Sequence, residues 1–298
     1  MHTVLIPGGD MSYKGVPTIR KRLLGGQLRR LREERDITVE SVAIKLGVGV
    51  SAVRRQESGH TAVSVADAKA YAEIYGVEDE KLLERLVQLA KHGRVRGWWS
   101  GYSSKVGPTI VDVADVEDLA TDIRTFQILA IPGIFQTREY SSAIIEVGKT
   151  LRRGGQPLPL DELLDLRQRR KEILERDNPP QVWAIIGEAA IRTVVGGPAV
   201  MRDQIQHLLN LSQRHNISIQ ILPFSAGEHV GMSGSFMLLS FDDTADGSIT
   251  YVEGTNINSF SDDPAEVRLT ADRFTHLQAQ ALSIVDTRTY LLEALSAK

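Results

Sequence analysis

The sequence predicts two domains, an all-α domain of five helices followed by an α+β domain with a small sheet, and three observations predict it. A chain of 298 residues is longer than one hydrophobic core usually fills. Cut at Gly97, it separates into a first part with 17 Lys and Arg against 12 Asp and Glu and a remainder with 18 against 26, that is +5 and −8. Finally, leucine-spaced helical periodicity runs to about residue 92, whereas short β-branched runs bounded by Pro and Gly appear only after residue 180.

Composition narrows the chemistry. The chain is 42% hydrophobic and 24% charged, as in ordinary globular proteins. It has no cysteine, which excludes disulfides, thiolate zinc sites, iron–sulfur clusters and cysteine nucleophiles. No apolar run reaches the ~20 residues of a membrane span, and MHTVLIPGGD lacks the basic start and apolar stretch of a signal peptide, so a cytoplasmic protein that does not engage membranes is expected. No cofactor and no metal site is expected.

Residues 1–18 are expected to form a flexible extension. The five helices fit within 19–92: Leu24, Leu28 and Leu31 recur at helical spacing, Thr38 has the character of an N-cap, and Gly47 ends the next segment. Residues 93–108, with GWWSGYSSKVGP, form a linker and aromatic seam, and 109–298 the second domain, expected to serve regulation and dimerisation. There we expect helices at 116–129, 137–147 and 160–176, a strand at 181–186, a helix at 198–215, strands at 217–222, 235–241 and 248–252, and closing helices at 264–282 and 283–297.

Within 39–55 the residues meet the steric template of a helix-turn-helix. Ala43 is small where the first helix touches the second, Gly47 permits positive φ at the turn, and Val42, Leu46, Val48 and Val53 supply the shared core. Ten basic against five acidic residues between Arg20 and Ser58 suggest an anionic partner.

The segment GGQLRRLREERDITVESVAIKLGVGVSAVRRQESGH resembles the Xre family of phage-repressor-like DNA-binding domains over about residues 20–77. The resemblance implies double-stranded DNA as partner and a recognition helix at 50–58, with Val50, Ser51, Arg54 and Arg55 facing base edges. It places Thr38, Gly49, His60 and Thr61 at the DNA backbone, and Arg32 and Glu57 as a structural pair inside the domain. Three positions depart from the family pattern: Val39 stands for a common glutamine, Gly49 for the usual Ser or Thr cap, and Gln56 for an apolar core residue. Because one recognition helix covers few base pairs, a homodimer is expected.

The later blocks RGWWSGYS, FQILAIPGIFQTREYSSAII, GGPAVMRDQIQHLLNLS, ISIQILPFSAGEHVGMSGSFMLLSF and YVEG resemble, in that order, the C-terminal domain of actinobacterial antitoxin-like regulators of the Xre family. This implies a transcriptional regulator modulated by a small-molecule ligand or a small partner protein encoded by a neighbouring gene. Individually the blocks have plainer readings. Trp98, Trp99 and Tyr102 suit packing better than a ligand box, SAGEHVGMSGS an inter-strand loop, and Arg167, Arg169, Arg170 and Lys171 a solvated helix face. Glu188 reads as a lone acid at a strand end. No His-Glu-x-x-His, Gly-x-Ser-x-Gly or P-loop appears, so an enzyme is the least expected class. The alternative to a regulator is an antitoxin-like protein-interaction adaptor with weak or no specific DNA binding.

Overall fold

The computed structural model describes residues 19–93, 97–102, 106, 108–149, 159–241, 248–253 and 258–296, and the expected extension at 1–18 lies outside them. Two compact units emerge, residues 10–116 and residues 117–298.

The first unit contains α1 (Ile19–Glu33), α2 (Val39–Leu46), α3 (Val50–Glu57), α4 (Val65–Tyr75), α5 (Glu80–His92) and the start of α6 (Pro108–Leu119). Its core gathers Leu24, Leu28, Val42, Val53, Ala68, Tyr71 and Leu86, all fully buried, the apolar stripes of each helix meeting on one side. Local chemistry sets the boundaries. Thr38 accepts from the Ser41 amide at 3.2 Å, Ser64 and Asp67 form a reciprocal capping box, and Asp79 accepts from the Lys81 amide. Gly47, at φ 68°, closes α2 in the left-handed conformation that a glycine tolerates best.

Two arginines of α1, Arg20 buried and Arg22 half-buried, find acids 90 or more residues away. Arg20 Nε donates to Asp115 of α6, and its guanidinium lies 4.6 Å over the Trp99 ring. Arg22 donates to Asp112 at 3.3 Å. Burial pushes the Asp112 carboxyl up to about 7, Arg22 opposing the rise and Asp115 adding to it, because one long hydrogen bond does not offset desolvation. Trp99 is buried while Trp98 and Tyr102 are half-buried, and their rings meet edge to face.

The second unit is α+β. Its strands are β1 (Asp122–Gln127), β2 (Gln181–Gly187), β3 (Ile217–Leu222), β4 (Phe236–Ser240), β5 (Ile249–Glu253) and β6 (Asn258–Ser261), ordered β3-β2-β1-β4-β5-β6. β1, β2 and β3 run parallel and the remaining pairings are antiparallel. The parallel pairs need crossovers, supplied by α7 (Arg138–Lys149) and α8 (Leu160–Arg170), then α9 (Glu188–Arg192) and α10 (Pro198–Leu211). The closing helices are α11 (Pro264–Gln280) and α12 (Ile284–Ser296). Phe274 and Leu277 of α11 pack on Phe126, Ile185, Leu222 and Phe236 of the sheet.

Several expectations are corrected. The helix foreseen at 116–129 is the end of α6 followed by β1, a central strand. Val116, Ala120, Ile123 and Phe126 mimic helical spacing, but ladders to β2 and β4 on both sides capture Asp122–Gln127 in extended form. The short strand β6 had no expected counterpart. Arg170 is not solvated: it is 9% exposed and grips Glu117 with two hydrogen bonds of 2.7 Å. Arg167, half-buried, donates to Gln136 at 3.1 Å, and burial beside Arg170 pulls its guanidinium down to about 10. Glu188 is not alone either, since its carboxylate accepts from Arg192 at 3.0 Å and from the Phe224 amide at 2.8 Å.

Candidate nucleic-acid interface

α3 is held from behind and bare in front. Val53 is fully buried, and Gly25 of α1 lies so close that a Cβ there would sit 2.4 Å from the Gln56 carbonyl oxygen. Only glycine lets α1 and α3 touch backbone to backbone. The far end of α3 is fixed by Arg32, whose Nε and Nη2 donate to the two Glu57 oxygens at 2.6 and 3.0 Å while Nη1 donates to the Ile37 carbonyl at 3.0 Å. The hydrogen bond to Glu57 holds the Arg32 guanidinium above its ordinary range. Burial, with the Glu57 charge adding, also pushes the Tyr71 and Tyr75 hydroxyls up. The polar Gln56 accepts from Tyr71 Oη at 2.6 Å, which satisfies a buried hydroxyl.

The opposite face of α3 presents Ser51, Arg54, Arg55 and Ser58, all exposed and spaced as one helical stripe. Val50, expected beside them, is half-buried and packs against the core, so only part of it reaches outward. Among the expected core residues, Val42, Ala43 and Val53 are buried and Leu46 is partly buried against them. Val48 is a correction: it is 43% exposed, because the left-handed Gly47 turns the chain outward before α3 begins.

The flanking positions are exposed as well. Thr38 spends its hydroxyl on the α2 cap, and Gly49 starts α3 without any side-chain cap. His60 Nδ1 lies 2.9 Å from Ser58 Oγ, and the Thr61 amide donates to the Arg55 carbonyl at 3.0 Å, which folds this segment back on the end of α3. Unforeseen from the sequence is Glu40 of α2, whose carboxylate lies 3.7 Å from Arg54 Nη2. Among the described residues no cluster of three or more His, Asp or Glu could hold a metal, and no helix is long and apolar enough to cross a membrane.

Comparison with known families agrees with the geometry. A helix-turn-helix domain model matches residues 23–86. A domain of unknown function (DUF5753) matches residues 110–293, more than half of the chain. The chain belongs to the DUF5753 family. No curated protein and no solved structure matches it. In this DUF5753 member, α2 and α3 form the helix-turn-helix, and the second unit contains nearly all of the family's domain.

Proposed function

We propose that this chain is a sequence-specific transcriptional regulator of Xre type that binds operator DNA as a homodimer through α3. The observation that carries the reading is the exposed stripe Ser51, Arg54, Arg55 and Ser58 on a helix whose other side is locked by Val53, Gly25 and the Arg32–Glu57 pair. A guanidinium offers two parallel donors to guanine O6 and N7, and a serine hydroxyl or a valine methyl suits single base-edge contacts. His60 and Thr61, with Thr38 and Gly49, flank the stripe where phosphates would run.

Residues 117–298 carry an acidic surplus that opposes phosphate approach, so their role in this reading is dimerisation and signal reception, in the antitoxin-like manner. The signal is a small ligand or a small neighbour-encoded protein that must bind the DNA-free and DNA-bound arrangements unequally. In this reading the chain is cytoplasmic and performs no catalysis. A gel shift and footprint on the DNA upstream of its own gene test the proposal. Two half-sites about one helical turn apart support it. No retained fragment, with the chain folded, favours the protein-interaction adaptor instead.

A further inference from the structure

The two arginines of the α3 stripe sit in different electrostatic settings. Arg54 Nη2 lies 3.7 Å from Glu40 Oε1, with the two side chains 68% and 59% exposed, whereas no ion pair among the described residues involves Arg55. Glu40 owes its place to local chemistry: Thr38 caps α2, Glu40 is the second residue of the helix, and α2 packs against α3. An exposed pair of this kind adds little to folding stability. Its effect falls on the occupied interface. A carboxylate beside the reading stripe repels phosphates and loses hydration as any duplex approaches, so it weakens binding to every sequence.

We propose that Glu40 is a positioning residue that aims Arg54 at a guanine edge, lowering overall affinity and raising discrimination. This rests on α3 being the DNA-reading helix. At 3.7 Å the carboxylate attracts the guanidinium without taking a hydrogen bond from it, so the Arg54 N–H groups stay available to guanine O6 and N7. It also keeps Arg54 from swinging to a phosphate, the contact that would hold the protein on any sequence. Within the protein–DNA interface, where water is displaced, the carboxylate–guanidinium attraction strengthens at the moment it restrains the reader.

The test measures binding of the full chain to its selected duplex and to a duplex altered at the Arg54-dependent base pair. Wild type is compared with Glu40→Gln, Glu40→Ala, Arg54→Ala and the double variant Glu40→Gln/Arg54→Ala, with the melting temperature of each recorded. The expected result is that both Glu40 variants bind the altered duplex more tightly while the ratio between the duplexes falls by about fivefold or more. In the Arg54→Ala background, Glu40→Gln should leave that ratio unchanged. A purely structural Glu40 would instead weaken both duplexes in step with a lowered melting temperature, and that outcome overturns the inference, as does an unchanged ratio in folded variants. A wild-type chain that selects no sequence overturns the reading of α3 and this inference together, whereas a selected site indifferent to Glu40 overturns the inference alone.

Discussion

Replacing Glu57 by alanine should unfold the helix-turn-helix unit well before it alters any base contact. The Glu57 side chain is 6% exposed and takes hydrogen bonds of 2.6 and 3.0 Å from Arg32, whose side chain is 11% exposed. With Glu57 gone, the guanidinium keeps the Ile37 carbonyl at 3.0 Å and a long contact of 3.4 Å to Glu33, whose side chain is 52% exposed and already bonded to Arg29. Breaking one side of a buried pair costs about 3–5 kcal/mol because the remaining charge stays desolvated. The contacts that survive place this case near about 3 kcal/mol. For a unit of about 100 residues each kcal/mol moves the midpoint by about 4–8 °C, so the transition should fall by about 12 °C or more. Scanning calorimetry of the full chain reads this directly. Arg32→Met with Glu57→Leu should recover most of the loss, since an apolar replacement leaves no orphaned charge. A Glu57→Ala cost below about 1 kcal/mol, or a double variant no more stable than the single one, would refute the claim that this pair fixes the end of α3.

Three further outcomes follow from the geometry. Gly25→Ala should destabilise the first unit by about 1–3 kcal/mol or more, since the new methyl meets the Gln56 and Glu57 carbonyl oxygens at 2.4 and 2.5 Å, and unchanged melting would show that α1 can back away from α3. The Asp112 carboxyl, raised to about 7 from an ordinary 3.8, holds its proton more tightly folded than unfolded. Its contribution is therefore present at about pH 4 and is lost as pH rises to about 7, and Asp112→Asn should flatten the stability profile in that window, a retained slope counting against the assignment. Glu117→Ala strands the buried Arg170 and should cost the second unit about 3–5 kcal/mol, measured by denaturant midpoint, with little change in the first unit's transition.

What could be read from the sequence was what neighbouring residues decide. The caps at Thr38 and Gly47, the buried Val42, Ala43 and Val53 and the exposed Arg54 and Arg55 all follow from spacing within two short helices. Partners far along the chain were not legible. Arg20 and Arg22 reach Asp115 and Asp112, and Arg170 reaches Glu117, so residues that look like solvated helix surface are wholly or partly withdrawn from water. β1 was hidden for a related reason: Ile123 and Phe126 continue the helical spacing of Val116 and Ala120, and only the pairing with β2 and β4 on both sides shows where α6 ends and the strand begins. The nearness of Glu40 to Arg54 depends on the crossing of α2 over α3, which spacing alone does not give.

The central claim is that α3 reads DNA sequence through its outer stripe, and selection of bound duplexes from a random pool tests it most directly. Wild type, Arg54→Ala and Arg55→Ala are carried through the same selection at one salt concentration, with Arg29→Ala as a control on α1, where Arg29 is paired with Glu33. The account predicts a defined sequence for wild type and the control. It predicts a relaxed base preference at one position for each α3 variant, with a loss of about 1–3 kcal/mol on the wild-type site. Selected sequences that are the same for all four proteins, or no enrichment at all from a folded wild-type chain, would contradict it.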